Sequence, residues 1–306
     1  MIKGNATSEE TAIHAEKHHD VTYNEIGATK FSTSQAGFGC YRISSEVMSH
    51  EKALRKALCE GINLIDTSSN YADGDSENLV GQVLKNLIES AELSRQAVIV
   101  VSKVGYLQGQ NFALSRQREQ EGQPFKELVK YDKGLEHCIH PEFLQDQLDR
   151  SLKRLNLETL DFYLLHNPEY YLSWAHKNKK PLNDSRTEYY RRIRNAFKHL
   201  ETEIEKRRIC YYGISSNTFP ATAEDPEFTC LETVWEIAES LAANHNFRLI
   251  QLPMNLLETG AVLEKNQPCG QSVLQFAHAK KLGVLINRPL NAFGNNQLIR
   301  LAEIET

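Results

Sequence analysis

Seven short apolar runs, separated by amphipathic stretches, limit this chain more than any other feature of it. The runs are Gln35–Phe38, Ile62–Ile65, Ala97–Val101, Leu160–Leu165, Cys210–Ile214, Leu249–Leu252 and Val284–Ile286. They are too brief for helices, and most are apolar nearly throughout, as strands buried on both faces are. Between them apolar residues recur at helical spacing. Leu54, Ala57 and Leu58 share a face, as do Leu79, Val83 and Leu87. Leu144, Leu148, Leu152 and Leu155 form a longer stripe behind Pro141, a residue the first helical turn tolerates. Ile193, Phe197, Leu200 and Ile204 make the next, followed by Leu231, Val234, Trp235, Ala238 and Leu241.

Strand–helix alternation of this kind gives a parallel sheet with right-handed crossovers, either doubly wound or closed into a barrel. A doubly wound dinucleotide fold calls for GxGxxG after its first strand. Gly37 and Gly39 supply two of the glycines, but Arg42 takes the third position, and a polar loop follows Asp66. The reading is therefore an α/β barrel. Ahead of it, VTYNEI and TKFS flank Gly27-Ala28 and predict a small hairpin. Residues 1–20 read as a polar, solvated arm, and residues 21–306 as the barrel domain.

Composition narrows the partners. A length of 306 residues suits one large α/β domain or two small ones. The net charge of -5 argues against the basic face that nucleic acid requires. No apolar run approaches the roughly 18 residues of a membrane span. The opening MIKGNATSEETAIHAEKHHD has no apolar signal core, so the cytoplasm is the expected location. None of the six cysteines (40, 59, 138, 210, 230 and 269) forms a CxxC pair. His14 and His18 would share a helix face beside His19, yet nothing completes a ligand set, and no metal site is expected. Cys138 and His140 read as equally ordinary.

Barrel enzymes collect their chemistry where the strands end. The second run ends at Asp66, with Tyr71 in its loop; the third ends at Ser102-Lys103 and the fourth at His166-Asn167-Pro168. The fifth ends at Ser215-Ser216-Asn217, and Gln251 lies within the sixth. Each residue alone has a bland explanation: a solvated lysine, a core histidine, a turn cap. Together they make a mechanism. A phenol with a pKa of about 10 is a poor acid near neutrality. An adjacent ammonium such as Lys103, kept charged by Asp66, lowers that pKa. His166 then orients a carbonyl oxygen and Tyr71 protonates it. The hydride requires a cofactor. Two long polar stretches, residues 105–140 and 167–185, lie where lids over such a site belong.

At these residues the chain resembles the aldo-keto reductase family. GFGCYR, INLIDTSSNYADGDSENLVGQVL, VIVVSKVG, LDFYLLHNP, YYGISSNTF, LIQLPMNLLE and GVLINRPL occur in that family's order and spacing, from about residue 21 to residue 294. The resemblance implies a (β/α)8 TIM-type barrel that binds NADP(H) across its C-terminal face, with NAD(H) not excluded. It implies hydride transfer between nicotinamide and a carbonyl or alcohol carbon of a small aldehyde, ketone or sugar. The family's catalytic tetrad falls on Asp66, Tyr71, Lys103 and His166. Ser215, Ser216 and Gln251 match positions that hold the carboxamide; Asn167 and Tyr41 match neighbouring cofactor contacts. Asn287, Arg288 and Leu290 match the stretch that runs under nicotinamide and pyrophosphate.

Two departures stand out. Asn287 replaces the aromatic ring on which many members stack the nicotinamide; Arg288 compensates at a phosphate oxygen, or else pairs with a carboxylate at the rim. After the seventh run, Asn295-Asn296 and LIRLAEIET read as a capped helix start, with no eighth strand. A barrel lacking a strand exposes two edges. The expectations are a shortened chain, a gap filled by another segment, or a relative that binds nucleotide without catalysis as a sensor or docking module. No feature of the sequence assigns an oligomeric state.

Overall fold

The computed structural model describes residues 1–294 and 297–302. Seven parallel strands form one curled sheet in the order seventh, sixth, fifth, fourth, third, second, first. They are Phe38–Gly39, Leu64–Asp66, Ile99–Val104, Leu160–His166, Ile209–Ser215, Phe247–Pro253 and Gly283–Asn287. Each lies within three residues of its apolar run, and most extend toward the C-terminal end. Helices Met48–Cys59, Asp75–Glu89, Pro141–Leu155, Leu182–Glu205, Leu231–Leu241 and Val273–Ala279 follow strands one to six in turn. Their apolar stripes are buried on the outer face of the sheet. Pro141 begins its helix, as its fixed backbone angle favours.

Alternation along each strand separates two environments. One set of side chains packs outward onto the helices; it includes Ile65, Val100, Tyr163, Ile214 and Ile250. The other fills the interior: Leu64, Ile99, Val101, Phe162, Leu164 and Leu249. The inward parity continues upward and ends in Asp66, Lys103, His166, Ser215, Gln251 and Asn287. One alternation therefore yields an apolar floor and a polar mouth.

The floor is closed by the N-terminal segment. The hairpin pairs Tyr23–Glu25 with Ser32–Ser34, as predicted, and Ile26 and Phe31 enter the interior cluster with Ala6. The solvated-arm reading of residues 1–20 needs correcting. Ser8–Lys17 is a helix with Thr11 and His14 buried, and Asp161 accepts the Ala6 N–H at 2.6 Å while pairing with Arg95 at 2.9 Å. Asp161 is buried, so these donors supply partners it would otherwise lack.

The helix reading at the other end is also overturned. Gln297–Arg300 is a strand paired antiparallel with Asn291–Gly294, where backbone pairing with the neighbouring segment replaces helical bonds. Asn295-Asn296 and residues 303–306 lie outside the described residues. Among the described residues there is no eighth parallel strand, and the first and seventh strands are the two sheet edges. No described helix is long and apolar enough to cross a membrane. Among the described residues no group of three or more His, Cys, Asp or Glu could hold a metal ion.

Candidate active site

Asp66, Tyr71, Lys103 and His166 meet at the C-terminal mouth. The buried Lys103 Nζ contacts three oxygens: Asp66 Oδ1 at 2.7 Å, the Thr67 carbonyl at 2.9 Å and the Tyr71 hydroxyl at 3.3 Å. An ammonium only donates. The Tyr71 oxygen therefore accepts from Lys103, and its own proton is left to be given elsewhere. The Tyr71 ring stands edge-on to His166, with centroids 5.9 Å apart, and edge-on to Tyr41 at 5.2 Å.

The Tyr71 loop is held in an uncommon shape. Ala72, Asp73 and Gly74 all have positive φ, at 47°, 54° and 92°. Two of the three carry side chains, so the turn stores strain that its surroundings must hold. Asp73 accepts from the Gln110 N–H at 3.1 Å, which ties the loop to the segment after the third strand. The Ser69 N–H bonds the Lys103 carbonyl at 3.1 Å from the other side.

Electrostatics divides the four residues by role. Burial pushes the Lys103 ammonium down, but Asp66 foremost and then Tyr71 outweigh it, so it stays charged above the ordinary lysine value. Burial raises the Tyr71 phenol, and Lys103 opposes that rise without cancelling it. The sequence expectation of a lowered phenol thus has the right sign for Lys103 alone, but desolvation dominates the sum. Burial, then the Lys103 charge, holds His166 well below the usual histidine range, so the ring is neutral.

The residues matched to cofactor contacts divide as well. Ser215 donates to Gln251 Oε1 at 2.8 Å inside the mouth. Asn167 follows His166 with a φ of 49°. Asn287 sits on the seventh strand, its buried Oδ1 without a partner among the described residues. Tyr41 is 66% exposed at the rim. Ser216 has the opposite parity: its hydroxyl meets Thr218 Oγ1 at 3.2 Å behind the sheet, so it is not brought to the mouth. Leu290 is exposed on the loop after the seventh strand. Arg288 pairs with Glu258 at 2.7 Å, the rim-carboxylate alternative, and its Nη1 donates to Asn217 Oδ1 at 3.4 Å.

Several polar neighbours escaped the sequence reading. Ser68 Oγ lies 3.1 Å from His166 Nδ1 and 2.6 Å from Asn70 Oδ1. Glu169, just past the HNP stretch, is buried and accepts the Asn217 N–H at 2.8 Å. Asn255 bridges Glu258 and the Arg288 carbonyl. Ser68 and Glu169 stood beside residues singled out in the sequence, and that adjacency was the available signal. Glu258 had none, because its partner lies 30 residues away.

The chain is similar to the NADH-specific methylglyoxal reductase of Escherichia coli (strain K12), at 29% identity over 150 residues, 46% of this chain and 40% of that protein. It is also similar to methylglyoxal reductase YeaE of the same organism, at 32% identity over 114 residues, 37% of this chain and 27% of that protein. The chain spans less than half the length of these curated relatives. A solved aldo-keto reductase of Bacillus halodurans, in its holo form, superposes with a TM-score of 0.55 at 19% identity, covering 87% of this chain and 65% of that one; this likeness shows the fold. Residues 36–292 match the Aldo/keto reductase family. With most of its length inside that match, the chain belongs to the aldo/keto reductase family.

Proposed function

We propose that this chain reduces the carbonyl of a small aldehyde or ketone, such as methylglyoxal, with NADP(H) or NAD(H) as cofactor and Tyr71 as proton donor. The observation that carries the reading is the direction of one hydrogen bond. Lys103 donates to the Tyr71 oxygen at 3.3 Å, which leaves the phenol proton available for another acceptor.

The residues present suit a nicotinamide cofactor. Gln251, Ser215 and Asn167 offer the amide and hydroxyl groups that a carboxamide pairs with, and Asn287 Oδ1 is buried without a partner. Arg288 would meet an anionic group if released from Glu258. When bound, such a cofactor supplies the hydride that no side chain can.

The chain's own residues handle the proton. Tyr71 gives its proton to the carbonyl oxygen as negative charge develops there, and Lys103 stabilises the phenolate left behind. Asp66 keeps Lys103 charged in a buried place. His166, neutral, donates one N–H to the same oxygen and sets its direction. Ser68 controls which nitrogen carries that proton. With its hydroxyl turned to Nδ1 the proton sits on Nε2; with its hydroxyl on Asn70 the Nδ1–H donates to Ser68 instead.

The test is oxidation of NADPH and of NADH against a panel of small aldehydes that includes methylglyoxal, with Tyr71→Phe as control. Native turnover and a loss of about 10³-fold in Tyr71→Phe are expected, in the range of general acid catalysis. Equal turnover in the two proteins would remove Tyr71 from the acid role. Tight binding of either nucleotide with no turnover would favour a non-catalytic binding module.

A further inference from the structure

The segment after the third strand was expected to be a lid, but its first and last strands reach beneath the catalytic turn. Tyr106–Leu107 and Val129–Asp132 flank Leu135–His137 in a small antiparallel sheet. Its register sets Tyr106 opposite His137, and both are buried. The two side chains address neighbouring parts of the His166–Asn167 turn.

His137 Nε2 lies 2.8 Å from the His166 carbonyl oxygen. That acceptor has no proton to give, so the Nε2 of His137 must carry one. Burial keeps His137 neutral, its pKa pushed down to about 4, and a neutral ring has a single N–H; this contact uses it. Room for the ring depends on Gly105: a Cβ there would sit 2.5 Å from His137 Nε2 and 2.6 Å from the His166 oxygen. Tyr106 acts on the other side of the turn. Its ring stands edge-on to the His166 imidazole at 4.8 Å, and its hydroxyl accepts from Asn167 Nδ2 at 2.6 Å. Asn167 needs such holding, because its backbone is left-handed and such conformations persist only where the surroundings over-determine them. The Asn167 N–H is bonded to the Ser215 carbonyl at 2.7 Å, and its carbonyl accepts the Tyr170 N–H at 3.2 Å.

We propose that Tyr106 and His137 are positioning residues for the reaction: they aim the His166 imidazole at the carbonyl oxygen and the Asn167 amide at the cofactor. The inference rests on the proposed reductase function. Neither residue touches substrate; both act through the turn. The segment from 105 to 137 is then part of the catalytic scaffold.

The experiment compares the native 306-residue chain with Tyr106→Phe, His137→Leu and His137→Gln, each ¹⁵N-labelled at histidine. The first reading is the His166 ring resonance, assigned by its loss in His166→Ala. It should move in Tyr106→Phe and His137→Leu. The second reading is kinetic. His137→Leu should lower kcat about thirtyfold with substrate KM within about twofold, since small misplacements of a catalytic group are costly. His137→Gln, which keeps an N–H donor, should recover most of that loss. Tyr106→Phe, which keeps the ring, should weaken NADPH binding by about tenfold in a fluorescence titration, the worth of a single hydrogen bond. Unmoved His166 resonances in both Tyr106→Phe and His137→Leu would overturn the inference, and so would Gln behaving no better than Leu at position 137. A native chain without carbonyl-dependent turnover would sink the functional reading instead, and the resonances would then decide the inference by themselves.

Discussion

The two walls of the mouth are built differently. On the wall of strands two to four, every polar group of the proposed catalytic set is already engaged. Lys103 meets three oxygens, Ser68 stands behind His166, and the Tyr71 loop is clasped from both sides. On the wall of strands six and seven, Asn287 Oδ1 is buried without a partner and Arg288 is occupied by Glu258. Beside it, Leu256 and Leu257 are 83% and 60% exposed, and the seventh strand is a sheet edge. The half proposed to handle the proton is organised without help, because the Lys103 ammonium is fully buried and an unpartnered buried charge is very costly. The half matched to cofactor contacts satisfies its arginine internally, at a partly exposed rim where such a pair is weak and readily exchanged.

The sharpest way to break this contrast is Lys103→Met. It removes the ammonium that stabilises the phenolate, and kcat/KM for aldehyde reduction should fall by on the order of 10³-fold. A loss under tenfold would mean the first wall is far less interdependent than its contacts suggest.

Glu169 comes next, since it joins the loops after strands four and five. Burial pushes its carboxyl up to about 7 from 4.5. The unfolded chain releases this proton first as pH rises, so the native state loses stability between about pH 4.5 and 7 and remains penalised above that. Glu169→Gln should therefore unfold with on the order of 2–3 kcal/mol more stability than native at pH 8, and with little difference near pH 4.5. Denaturant midpoints at the two pH values check this, and an advantage independent of pH would refute it.

On the second wall, Arg288→Ala should weaken NADPH binding by about tenfold, the worth of one charge-assisted contact. Glu258→Gln should strengthen it by a few-fold, because a competing carboxylate is gone. Both are read by fluorescence titration. If Glu258→Gln also weakens binding, Glu258 orients the arginine and does not compete for it.

The smallest effect expected is none. His166 titrates well below its usual range, so reduction should show no acid-side loss as pH falls through the ordinary histidine range near 6.5. An alkaline loss should follow only above about 10, where Tyr71, raised by burial, gives up the proton it must donate. A rate profile bending near 6.5 would show that His166 is charged in the working enzyme.

Much of the fold was legible in the chain. Runs buried on both faces repeat a recognisable pattern, and helix stripes such as Leu144–Leu155 mark the face that packs. The meeting of Asp66, Tyr71, Lys103 and His166 was legible for a related reason: three of them lie at or next to a strand end, and Tyr71 lies in the loop behind the second strand. Ser216 was misplaced because a doublet does not reveal which of its members faces inward. The helix expected near residue 297 failed because local pattern does not register a neighbouring strand. Glu258, His137 and Ser68 act through partners 30, 29 and 98 residues away, and no local signal carries that information.

Alternation of short apolar runs with amphipathic stretches, a property of the chain itself, determined that a parallel sheet forms and which ends of its strands are polar. Tertiary structure alone decided what those polar residues do to one another. Burial, set by the whole fold, raised the Tyr71 phenol where a neighbouring ammonium by itself would have lowered it, and silenced the charge of His166. The cost of desolvation depends on everything packed around a group, and so it exists only once the chain has folded.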